Sequence, residues 1–65
     1  MENLLHKAAH DFMREDFPVL YSLIVRMIEE GATKDEILAE CAKAEDVDDD
    51  VLNSVELTID YLCSL

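Results

Sequence analysis

A chain of sixty-five residues makes one small domain, with only about 60% of its unfolded surface available for burial, too little to surround a deep catalytic cleft. Hydrophobic residues make up 51% with one Gly and one Pro, a composition that folds instead of staying disordered. Sixteen acids against five bases leave a net charge of −11, which repels nucleic acid and anionic membranes and attracts basic surfaces.

In chain order, every segment carries helical spacing, and an all-α bundle of four short helices is expected over 1–65. The first helix, about 2–14, gathers Leu4, Leu5, Ala8, Ala9, Phe12 and Met13 on one half of its wheel and leaves His6 and His10 on the polar half. Phe12 and Met13 give it an apolar edge on which two copies of the chain can pair. Asp16 is placed to cap the second helix, about 17–30, with Pro18 tolerated in its first turn. That helix is apolar nearly all round, broken only by Ser22, Arg26, Glu29 and Glu30, so it is expected to be the hub. Gly31 supplies its stop.

Thr33-Lys34-Asp35-Glu36 is a capping box that opens the third helix, about 33–44, with Ile37, Leu38, Cys41 and Ala42 facing inward. The acidic run Glu45-Asp46-Val47-Asp48-Asp49-Asp50 leads into the fourth, about 49–63, where its charges favour the helix N-terminus. Val51, Leu52, Val55, Ile59 and Leu62 form its buried face. Leu57 and Tyr61 lie on another side, ringed by Asp50, Asn53, Ser54 and Asp60. Two placements suit that pair: the centre of a partner interface with a charged rim, or a surface covered by the first helix folding back.

The charge is unevenly spread. Up to Ile28 four acids meet three bases; from Glu29 onward twelve acids meet only Lys34 and Lys43. Chemistry-bearing motifs fail on inspection. Read as a calcium loop from Asp46, the run places Val51 where Gly is required and Leu57 where the closing Glu belongs. His6 and His10 have the i,i+4 spacing of zinc ligands, but Lys7 replaces the catalytic Glu and no third ligand is evident, so a surface pair is expected. Cys41 and Cys63 have no basic sequence neighbour and are read as core thiols. No nucleophile with its base and no phosphate-binding Gly loop is present, so neither catalysis nor a cofactor or metal is expected. Met1-Glu2-Asn3-Leu4 lacks the basic start of a signal peptide. The longest apolar run, Phe17 to Ile28, is short and contains Arg26, so a cytoplasmic setting without a membrane span is expected.

From Val19 onward the pattern resembles the tri-helical core of helix-turn-helix and winged-helix domains. Leu23 to Ala39 supplies a helix, a Gly turn and a capped second helix, and the helix beginning near Asp48 falls at the recognition position. Where such a helix reads DNA with Arg, Lys, Asn or Gln, this one begins Asp48-Asp49-Asp50, followed by Glu56 and Asp60. Three carboxylates at a phosphate backbone repel it, so direct nucleic-acid binding is not expected. Asp50 to Leu57 is loosely similar to the helix start of acyl carrier proteins, but Val51 stands where the attachment serine would be.

In size and charge the chain resembles small acidic phage inhibitors that mimic nucleic acid, including anti-CRISPR proteins and inhibitors of restriction enzymes. That resemblance implies a host-cytoplasmic protein gripping the basic surface of a nucleic-acid-binding protein. The contacts would be Glu36, Glu40, Glu45, Asp46, Asp48, Asp49, Asp50, Glu56 and Asp60, with Leu57 and Tyr61 as an apolar centre. The alternative is an adaptor or dimerisation module that binds through the Leu57/Tyr61 patch and uses its acidity only for solubility.

Overall fold

A computed structural model describes residues 4–64, which form α1 (Leu4–Asp16), α2 (Pro18–Glu29), α3 (Lys34–Ala42) and α4 (Asp49–Cys63). Among the described residues there is no strand, and the expected all-α bundle is what the chain forms. The expected start of the first helix at Glu2 lies outside the described residues.

Local chemistry accounts for each boundary. The Phe17 N–H still donates to the Met13 carbonyl at 2.9 Å, so α1 runs two residues past its expected end. Phe17 is then the only residue between α1 and α2, and Pro18 starts α2 without a side-chain cap. Asp16 therefore does not cap α2: it is still inside α1, which leaves Phe17 in the capping position. At the other end Gly31 takes φ +89°, while its N–H donates to Ile28 and the Ala32 N–H reaches back to Met27. These two bonds make a Schellman stop, and only the positive φ requires glycine, because a Cβ there would meet nothing within 4 Å.

The capping box of α3 is complete. The Glu36 N–H donates to Thr33 Oγ1 at 3.2 Å, and the Thr33 N–H donates to Glu36 Oε1 at 2.9 Å. In α4 the Val51 N–H donates to Asp48 Oδ1 at 3.0 Å, so Asp48 is the N-cap.

The core joins Met13 from α1, Ile24 from α2, Ile37 and Cys41 from α3, and Val51, Val55 and Ile59 from α4. Fully burying one such aliphatic side chain stabilises the fold by about 1.5–3 kcal/mol. The most extensive helix pairing is α1 with α4, followed by α3 with α4. The hub is therefore α4, and the expectation that α2 fills that place is overturned. In α2 only Ile24 is fully buried, and Val19 is 83% exposed. Thr58 is a core position that its polarity hid: it is fully buried, with its hydroxyl donating to the Ser54 carbonyl at 2.7 Å.

The inward face of α1 is also corrected. Ala9 and Met13 are buried as expected, but the stripe that meets the bundle is His6, Ala9, His10 and Met13, while Leu4, Leu5, Ala8 and Phe12 are exposed. The expected surface histidine pair is thus half-buried at His6 and buried at His10. The His10 ring can take an inward position because both of its nitrogens find partners, whereas the buried His6 Nδ1 has none among the described residues. His10 Nδ1 donates to Asp11 Oδ1 at 3.1 Å, and in the neutral ring Nε2 accepts from the Tyr21 hydroxyl at 2.8 Å. The ring also lies 4.7 Å, centroid to centroid, from Tyr61, so it ties α1 to both α2 and α4.

Candidate protein-binding surface

The candidate acids separate into two groups according to what their side chains already hold. Lys34, at the start of α3, donates to Asp60 Oδ1 at 3.0 Å and lies 3.6 Å from Glu56 Oε2. Both acids are half-buried on α4, so one cation serves two carboxylates and pins α3 to α4. The Asp60 hydrogen bond, opposed by some desolvation and helped by both acids' charge, holds the Lys34 ammonium above its ordinary pKa. Glu40 accepts from Lys43 at 3.0 Å, and Glu36 is committed to the Thr33 cap.

The second group is concentrated in six residues. Glu45, Asp46, Asp48, Asp49 and Asp50 are all exposed, and none has a Lys, Arg or His within ion-pair distance among the described residues. Asp48 spends one oxygen on the Val51 N–H, and the α4 N-terminus favours anionic neighbours at this end. Local sequence explains why the charges stay outside. The short connection between α3 and α4 buries no large side chain, and Val47 alone packs on the core from within it. Asp46 shares an open hollow with Asp16, Phe17, Pro18, Val19, Leu20 and Ala44, so the acidic connection lies beside the α1–α2 joint. Asp35, which the capping-box reading assigns only to a helix start, is a further exposed acid in the first turn of α3.

For Tyr61 the structure takes the second of the two placements, whereas no α1 side chain is recorded on Leu57. Both are half-buried, and the His10 ring from α1 packs on Tyr61. The folding back of α1 was not readable from α4, since it depends on two helices between them turning the chain. At the recognition position of the helix-turn-helix resemblance, α4 is packed on by α1 and α3, and its first turn, Asp49 and Asp50, stays open to solvent.

The two cysteines differ. Cys41 is fully buried, and burial, followed by the neighbouring Glu40 charge, pushes its thiol pKa up, away from the reactive thiolate. Cys63 is exposed, which corrects its reading as a core thiol: it falls in the last turn of α4, past the residues the other helices cover. Among the described residues no group of three or more His, Cys, Asp or Glu is placed to hold a metal ion. No helix there is long and apolar enough to cross a membrane. No family model, no curated protein and no solved structure matches this chain.

Proposed function

We propose that this chain is a protein-binding inhibitor that occupies a basic, nucleic-acid-binding surface of another protein, in the manner of the nucleic-acid mimics made by phages. One observation carries the reading: five exposed carboxylates in the six residues from Glu45 to Asp50 have no cationic partner among the described residues. Carboxylates at this density suit the Lys and Arg side chains that otherwise hold phosphates, through short charge-assisted hydrogen bonds. The remaining charge speeds encounter with a basic target and makes binding salt-sensitive. Within the proposed surface Glu45, Asp46, Asp49 and Asp50 lead, and Asp48 joins them with its second oxygen. Glu36, Glu40, Glu56 and Asp60 form a rim whose charges are already engaged. The adaptor reading through Leu57 and Tyr61 is favoured less, since α1 lies over Tyr61.

The test is a variant with Asp48, Asp49 and Asp50 all replaced by Asn. Asn serves as well as Asp at an N-cap, so helicity is expected to persist. Proteins captured from host lysate by the wild type are assayed for displacement of bound duplex DNA or RNA. The wild type is expected to displace it at low salt and less at high salt, and the triple variant to bind about a hundredfold more weakly. Unchanged capture by the variant, or binding indifferent to salt, overturns the proposal.

A further inference from the structure

Where the acidic connection passes the α1–α2 joint, it meets an acid from the other half of the chain. Asp16 and Asp46 line one open hollow of about 340 Å³, and every other residue that lines it is apolar, among them Phe17, Pro18, Val19 and Ala44. Both acids are exposed. Neither side chain has an ion-pair or hydrogen-bond partner among the described residues. The fields of the helix ends do not explain Asp16. The end of α1 disfavours its charge, the start of α2 favours it, and it makes no cap bond to α2.

The backbone path keeps the hollow open. Phe17 is the only residue between α1 and α2, so no loop is present there to fill the space. Phe17 is half-buried, packs on the core and meets Phe12 edge-on at 5.5 Å, which fixes its ring. On the facing side Val47 packs on the core and leaves its neighbour Asp46 outside. At the small end of ligand-sized hollows, roughly 300–1,000 Å³, the space suits one side chain and not a cofactor.

We propose that this hollow seats an arginine side chain of the basic partner, its stem on the apolar lining and its guanidinium between Asp16 and Asp46. The assignment rests on the protein-binding reading and adds to it which cationic side chain is preferred. Charge complementarity selects the occupant. A wholly apolar side chain would desolvate two carboxylates without pairing them. A second copy brings a net charge of −11 to an already acidic surface. Phosphates are repelled for the same reason. Between the two cations, the lining decides. A guanidinium is planar and weakly hydrated, stacks on rings such as Phe17, and forks onto a carboxylate through two hydrogen bonds. A lysine ammonium is strongly hydrated, does neither, and gains only charge attraction from the same place. The run from Asp48 to Asp50, which has no such apolar lining beside it, attracts either cation alike.

The experiment titrates the full, isotope-labelled chain with two short capped peptides of equal length and charge, one alternating Arg and Gly, the other Lys and Gly. Backbone amide shifts report where each binds. The Arg peptide is expected to bind about tenfold more tightly and to shift Phe17, Val19, Leu20, Ala44 and Asp46. The Lys peptide is expected to shift mainly the Asp48 to Asp50 segment. Asp16→Asn is expected to remove most of the Arg preference while the melting temperature stays unchanged, because Asp16 is exposed and holds nothing in the folded chain. The Asp48, Asp49 and Asp50 to Asn variant is expected to weaken both peptides alike and to keep that preference.

Equal affinity for the two peptides, shifts that avoid the hollow, or an Arg preference untouched by Asp16→Asn overturns the assignment and leaves the inhibitor reading standing. Hollow amides that shift with the concentration of the chain alone assign the site to a second copy and overturn it as well. An Arg preference seated in the hollow, with both peptides indifferent to the triple Asn change, supports the hollow and counts against the acidic connection as the leading surface. If neither peptide binds, both fall.

Discussion

The second and fourth helices exchange the places that their composition suggests. α2 is apolar almost all round, yet only Ile24 is fully shielded from solvent. α4 carries Asp49, Asp50, Glu56 and Asp60, yet it buries Val51, Val55, Thr58 and Ile59 and receives both α1 and α3. The difference teaches that hydrophobic content sets how much a helix can bury, not how much it does. The buried residues of α4 are small or β-branched and form one arc, which lets two neighbours come close on adjoining flanks. Its acids fall at the open first turn and on the side that Lys34 serves, so none is buried without a partner. α2 joins α1 through a single residue, which leaves its Val19 end facing solvent beside the hollow at that joint.

The sharpest way to break this comparison is to truncate each helix in turn. Ile59→Ala is expected to cost about 2–5 kcal/mol, from lost burial plus the cavity left at the centre. Val19→Ala in α2 is expected to stay within about 0.5 kcal/mol, the range of ordinary surface changes. Urea melts of the two variants decide it: equal losses would mean that α2 shares the hub after all.

A smaller effect probes the start of α4. Asp48→Ala removes the acceptor for the Val51 N–H and is expected to cost about 1 kcal/mol, whereas Asp48→Asn is expected to be nearly silent. If the alanine variant melts like the wild type, the acidic connection does not anchor the helix it precedes.

The smallest expected effect is the pH dependence of the Lys34 tie between α3 and α4. The folded chain holds the Lys34 ammonium above its ordinary 10.5, so the contribution is complete below that pH and is lost as pH rises through the raised value. The melting temperature of the wild type should therefore approach that of Lys34→Met in strongly alkaline buffer and exceed it near neutrality. On α1 the sign is reversed. The Lys7 hydrogen bond, followed by that from His10, holds the Asp11 carboxyl below its ordinary 3.8. Its contribution is present above that pH and lost as pH falls through the lowered value, so Asp11→Asn should differ least from the wild type in strong acid. A constant gap between either variant and the wild type at all pH values would show that the ion pair contributes nothing.

Much of the local structure was legible in the chain. The Thr33–Glu36 capping box, the Gly31 stop and the acidic start of α4 were readable because each is a bond between residues a few positions apart. Exposure of the Glu45 to Asp50 carboxylates was legible for the same reason, as a dense run of charge cannot be desolvated without partners. The inward stripe of α1 was not. An amphipathic wheel weighs each side chain by its own polarity, whereas His10 is buried through hydrogen bonds to Asp11 and to Tyr21, the latter on another helix.

By itself, then, the sequence determined that this is a four-helix, strongly acidic chain with its charge gathered after Glu29. Helical spacing, caps and charge are short-range properties, and they survive any arrangement of the helices. Tertiary structure alone decided that α4 and not α2 is the hub, that α1 folds back over Tyr61, and that Lys34 pairs with both Glu56 and Asp60. It also decided which apolar stripe of α1 is left facing solvent. Each of these depends on residues far apart in sequence meeting across helix pairs, where available space and hydrogen-bond partners outweigh the preference of any single side chain.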